Sequence, residues 1–168
     1  NLFNMDSIKE VNNLNKSDFL SIFGNVFEKT EWIAENVFKS APFKNFEELA
    51  LKFISTFEDS TKENIRKILN AHPELVVEQN LTKDSTQEQN SSGLNQCTAY
   101  ELKEFKELNL RYKDKFGFPF IIAVKGKSKI DILENFRNRV NNLEEKEFIE
   151  ATQQVKEIAS LRLNKIIK

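Results

Sequence analysis

The chain has 168 residues, with 25 Lys and Arg against 26 Asp and Glu, so its net charge is −1 at pH 7. A balance this even gives no general attraction to nucleic acid or to an anionic membrane surface. The sequence holds only four Gly and three Pro. A sandwich or barrel needs a turn roughly every 8–12 residues, so an all-β fold is excluded.

The length fits one domain with its own hydrophobic core. The single cysteine, Cys97, has no partner for an internal disulfide, and with one histidine it cannot build a Cys/His metal site. No stretch approaches the ~18 apolar residues that suggest a membrane span. Neither a secretory signal nor a peroxisomal C-terminal tripeptide is visible, so the expected location is the cytoplasm. Met5-Asp6-Ser7-Ile8 reads as a natural start. Residues 1–4 are therefore read as a leader or processing remnant, and residues 5–168 as the domain.

Helical periodicity dominates the chain. Ser17-Asp18 caps a segment whose Phe19, Leu20, Phe23, Val26 and Phe27 form one apolar stripe. Trp32, Ile33 and Val37 continue in a second segment that stops before Pro42. Phe46, Leu49, Ala50, Phe53, Ile54 and Phe57 make a third stripe. Ser60-x-x-Glu63 has the form of a capping box before Ile65, Ile68 and Leu69. Two more boxes follow, Ser85-x-x-Glu88 and Thr98-x-x-Glu101, the second opening a long helix with Leu102, Phe105, Leu108 and Tyr112 inward. Ile130, Leu133, Phe136 and Val140 mark a helix after Ser128, and a last helix runs from about Glu144 to the C-terminus. Two stretches read as not helical: residues 76–84 lie between helices without clear period, and residues 116–126 end a helix and read as extended. The expected fold is all-α: a single irregular bundle of about eight helices, with a short extended segment near 119–124.

Three features stand out as places where chemistry could sit. His72 lies seven residues after Ile65 and four after Ile68, on the apolar stripe, where Pro73 stops the helix. It is either a hydrogen-bonded core histidine or an acid/base with a pKa poised near neutrality. Arg162 falls where the last helix's stripe wants an aliphatic side chain, so burial demands a partner. That partner is an internal carboxylate or an anionic substrate held by the planar fork. Phe116-Gly117-Phe118-Pro119-Phe120 fixes a tight apolar turn. It either plugs the core or presents free backbone groups to a ligand.

His72-Pro73-Glu74-Leu75, Ser85-x-x-Glu88-Gln89, Gly93-Leu94, Leu108-Asn109-x-x-Tyr112, the Phe116–Phe120 string and Leu161-Arg162-Leu163 occur in that order. Taken together they resemble the 2-oxo-4-hydroxy-4-carboxy-5-ureidoimidazoline (OHCU) decarboxylase family. The likeness extends to Leu14-Asn15, Phe27-Glu28, Trp32-Ile33-Ala34-Glu35 and Pro42-Phe43. It implies an all-α, cofactor-free, metal-free homodimer that converts a small ureidoimidazoline to (S)-allantoin, the last step of urate oxidation. It also implies roles for individual residues. His72 matches the catalytic histidine and Pro73 a backbone contact to substrate. Ser85, Glu88 and Gln89 match the polar binding stretch, with Thr86 and Gln87 inside it, and Glu88 also counts as catalytic. Phe120, Ile121, Ile122, Ala123 and Val124 match the segment whose backbone holds the ring and ureido atoms. Arg162 matches the arginine that reaches substrate from the last helix.

Departures from the family's pattern are few. Thr30-Glu31 stands where Ser-Pro is common, Ser92 where Ala is common, and Val76 where Ala often follows His-Pro. None falls on a carried-over catalytic position. The competing expectation is a catalytically silent helical interaction module of the same fold. A metal-dependent ureide hydrolase is disfavoured, since one His and one Cys supply too few ligands.

Overall fold

Short polar side chains open most of the helices by accepting a backbone N–H that the first turn leaves unsatisfied. Ser7 does this for α1 (Ile8–Asn12) and Asn15 for α2 (Lys16–Phe23). The third helix, α3 (Glu31–Phe38), begins without such a bond, and Asn45 caps α4 (Phe46–Glu58). Thr61 caps α5 (Lys62–Ala71), its hydroxyl accepting from Asn64 N–H at 3.1 Å. Thr82 caps α6 (Lys83–Ser91), and full capping boxes at Thr98 and Ser128 open α7 (Ala99–Phe116) and α8 (Lys129–Arg139). The last helix is α9 (Glu144–Ile166). The computed structural model describes residues 4–77 and 81–167. Among them there are nine helices and no strand, only an isolated bridge between Met5 and Ile167.

The fold class is as expected, while several boundaries move. The additional helix is α1, too short to show a period. Asn15, not Ser17, caps α2, and the helix stops at Gly24, so Val26 and Phe27 are buried from a turn. Thr61 takes the role assigned to Ser60, whose hydroxyl instead donates to the Thr56 carbonyl at 2.8 Å. Ser85 lies inside α6, its own N–H held by Thr82, so Ser85-x-x-Glu88 is no capping box. The helix thus starts at Lys83, inside the stretch 76–84 that showed no period; residues 78–80 of that stretch lie outside the described residues, as do residues 1–3 and 168. Leu102, expected inward, is 48% exposed because it sits in the first turn of α7, ahead of the buried stripe. Trp32 and Ile130 are exposed too.

The chain divides into two compact units, Asn1–Ala71 with Lys156–Lys168, and His72–Val155. In the first, α3 packs against α2 and α4. Phe19 sits at the centre, in ring contact with Phe23, Phe38, Phe43 and Phe53, and Phe27 stacks on Phe57 at 5.1 Å. In the second, α7 packs against α8 around Tyr112, whose ring meets Phe116, Phe118, Phe120 and Phe136. Most of the second core is thus built from the Phe-Gly-Phe-Pro-Phe string and the helices beside it. Gly117 makes the turn possible: it closes α7 at φ 75°, a left-handed conformation that suits glycine.

Candidate active site

His72 follows the last residue of α5 and is 7% exposed. The stretch after it is fastened by side chains from distant helices. Gln89 of α6 accepts from Val76 N–H at 3.2 Å and donates to the Glu74 carbonyl at 3.4 Å. Asn109 of α7 donates to the Leu75 carbonyl at 2.9 Å. Val76 adopts φ 55°, a conformation that a β-branched residue rarely takes.

The five polar positions of α6 separate by helical geometry. Ser85 and Gln89 are buried, Glu88 is half-buried beside them at i+3 of Ser85, and Thr86 and Gln87 are exposed. Ser85, Glu88 and Gln89 therefore share a face, while Thr86 and Gln87 occupy the other side.

The segment Phe120–Val124 lies outside any helix and is buried throughout, without a neighbouring strand. Arg139 donates from Nη1 to the Ile121 carbonyl at 2.7 Å, and its guanidinium lies 4.4 Å from the centre of the Phe120 ring. Gln154 accepts from Ala123 N–H at 2.8 Å, and Lys127 Nζ donates to the Ala123 carbonyl at 2.8 Å. The Val124 carbonyl accepts from Lys127 N–H. Within the described residues the N–H groups of Ile121 and Ile122 and the carbonyl of Ile122 make no hydrogen bond.

Behind that segment lies a polar cluster that the sequence reading did not single out. Glu147 is fully buried and takes the Tyr112 hydroxyl at 2.5 Å, Arg139 Nε at 2.6 Å and Asn142 Nδ2 at 3.0 Å. Burial first, then the bond to Glu147, push the Tyr112 hydroxyl well above its ordinary pKa, so it stays a proton donor. A signal was available: Glu147 precedes Ala151, Val155 and Ile158 on the apolar stripe of α9, as Arg139 follows Phe136 on α8.

Arg162 belongs to the first unit and has the internal carboxylate that one sequence reading required. Its Nη1 lies 3.1 Å from Glu28 Oε1 and donates to the Asn25 carbonyl at 2.9 Å, with both charged side chains buried. Nothing in the sequence period pointed to Glu28, which sits in a turn. Among the described residues no three His, Cys, Asp or Glu side chains are grouped as a metal site.

These features define an all-helical fold with a buried histidine turn and a buried non-helical segment that, among the described residues, leaves backbone groups open. The OHCU decarboxylase family model matches residues 12–164. A 2-oxo-4-hydroxy-4-carboxy-5-ureidoimidazoline decarboxylase of Halalkalicoccus jeotgali is 33% identical over 95% of this chain and 91% of its own length. The uric acid degradation bifunctional protein of Bacillus sp. (strain TB-90) is 35% identical over 98% of this chain, which spans only 33% of that protein. A crystal structure of (S)-allantoin synthase superposes with a TM-score of 0.79 at 28% identity, over 98% of this chain and 54% of that one. The chain belongs to the OHCU decarboxylase family.

Proposed function

We propose that the protein decarboxylates 2-oxo-4-hydroxy-4-carboxy-5-ureidoimidazoline to (S)-allantoin, the last step of urate oxidation in purine catabolism. Family membership supplies the reaction class, and one structural observation supports it most: the open backbone of Phe120–Val124. Buried N–H and C=O groups need partners, and Ile121 and Ile122 keep three of theirs unused within the described residues. A flat ring with N–H and C=O edges offers the complementary groups.

The substrate carries its own electron sink. The carboxylate leaves a carbon flanked by conjugated C=N and C=O groups, and the carbanion left behind is delocalised into the ring. The protein need only orient the leaving group, stabilise developing charge and deliver a proton to one face. In this proposal His72 is the general acid/base on the substrate hydroxyl, and Pro73 contributes a backbone contact. Glu88 and Gln89 grip ring and ureido nitrogens with Ser85 beside them, and Arg162 holds a carbonyl or carboxylate oxygen. Gln89 has the least left to give, because both ends of its amide already bind the loop at 74–76. The exposed Thr86 and Gln87 are the weakest members of the set. The family likeness also supports a cofactor-independent homodimer of the cytoplasm; no helix among the described residues is long and apolar enough to cross a membrane.

The test is release of CO2 from substrate generated in situ from urate. The wild-type protein should accelerate it in proportion to protein added. His72→Asn should fold, since Pro73 already ends the helix, while turnover falls about 10²- to 10⁴-fold, as for a positioned proton-transfer group. Equal turnover per folded molecule in the two proteins would remove His72 from the chemistry.

A further inference from the structure

His72 is joined to Leu75 by only Pro73 and Glu74, and Pro73 has a fixed φ. A shift at Leu75 therefore carries to His72 with little slack. The path of this turn is not one the chain takes unaided. Val76 is held at φ 55°, against the steric preference of a β-branched side chain for extended backbone. Such a conformation persists only where surrounding bonds over-determine it, and it is concentrated at functional sites. Here the bonds are the two from Gln89 to Glu74 and Val76 and the one from Asn109 to Leu75. They fix three consecutive residues from two helices.

Asn109 is the more telling of the two clamps. It is 5% exposed, and its Oδ1 is buried with no hydrogen-bond partner among the described residues. A buried acceptor without a partner is a cost that an apolar residue at the same place in α7 would avoid. The amide's contribution is therefore concentrated in one act, the donation from Nδ2 to the Leu75 carbonyl.

We propose that Asn109 is a positioning residue for the decarboxylation: by fixing Leu75 it sets where the His72 imidazole stands against the substrate. This rests on the reading of His72 as the acid/base. Asn109 touches no substrate in this account and acts only through the turn.

The experiment compares Asn109→Asp, which keeps the shape but loses the donor when ionised, with Asn109→Leu, which fills the space without polar atoms. His72→Asn and the wild type are measured alongside. Turnover is expressed per folded molecule, with melting temperature recorded for each. Both Asn109 variants should lose roughly 10- to 100-fold in kcat, the scale of a ~1 Å misplacement, while KM changes less than about threefold. A purely structural role would lower the melting temperature and leave kcat per folded molecule intact. Wild-type kcat in both Asn109 variants, with His72→Asn inactive, would overturn the positioning role and leave the reading of His72 standing. A loss confined to KM would overturn it too. Wild-type kcat in His72→Asn would overturn both.

Discussion

Arg162 has an observed place in the fold and, in the function proposed above, a second one on the substrate. Its Nη1 makes both the ion pair with Glu28 and the bond to the Asn25 carbonyl. A lysine ammonium could meet the same two partners, but it lacks the planar fork that holds a carboxylate or carbonyl in a set orientation. Arg162→Lys should therefore retain most of the melting temperature and lose at least about tenfold in turnover. Near wild-type turnover would confine Arg162 to the ion pair. Removing the charge altogether, as in Arg162→Met, is a poorer test, because Glu28 would be left buried without its cation. The sequence showed that a guanidinium sits on an apolar stripe, and that observation was sufficient to demand a partner. It could not say which, because Glu28 lies in a turn whose position no period predicts. Glu147 and Arg139 are readable by the same rule, though each stands among neighbouring charges.

At the scale of the elements, the helices were legible wherever an apolar stripe ran beside a cap with a single candidate. Thr98 and Ser128 are such caps, and both close full boxes with Glu101 and Asp131. Ser60 and Ser85 misled because Ser-x-x-Glu spacing recurs by chance among many polar residues. The hydroxyls actually used, Thr61 and Thr82, lie one residue later and three residues earlier. The run at 119–124 was legible as non-helical from Gly117 and Pro119. Its anchoring by Arg139 and Gln154 was not, because those residues arrive from other helices.

The two boxes also carry a pH signature. The bond from Thr98 N–H, then that from Lys129, hold the Glu101 carboxyl below its ordinary value of 4.5. Bonding from Ser128 likewise lowers Asp131 from 3.8. A carboxyl depressed in the folded state binds its proton more readily in the unfolded one. The stability it contributes is therefore complete above the ordinary value and is lost as pH falls through it toward the folded value. In urea titrations between about pH 5 and pH 3, a Glu101→Gln/Asp131→Asn variant should lose less stability than the wild type. Parallel curves would show that the two boxes contribute nothing to acid unfolding.

For the whole molecule, composition excluded more than it specified. An even charge balance and scarce Gly and Pro pointed away from nucleic acid and from β architecture, and the helical fold agrees with the second of these. Function was legible only as an ordered set of short motifs, because no single one carries enough chemistry. His-Pro becomes informative beside the polar face of α6 and the buried run at 120–124. The division into two units was not readable at all, since no linker or change of composition marks residue 71 or 155.

In the proposed reaction this chain directs the proton to one face of a planar intermediate. The most direct measurement generates the unstable substrate in situ from urate, with a chelator present throughout, and follows optical activity as allantoin accumulates. Spontaneous decay gives a racemate and no net rotation. The account predicts that catalytic amounts of the protein yield (S)-allantoin in excess, at a rate proportional to protein and indifferent to chelation. Racemic allantoin at the uncatalysed rate would contradict it.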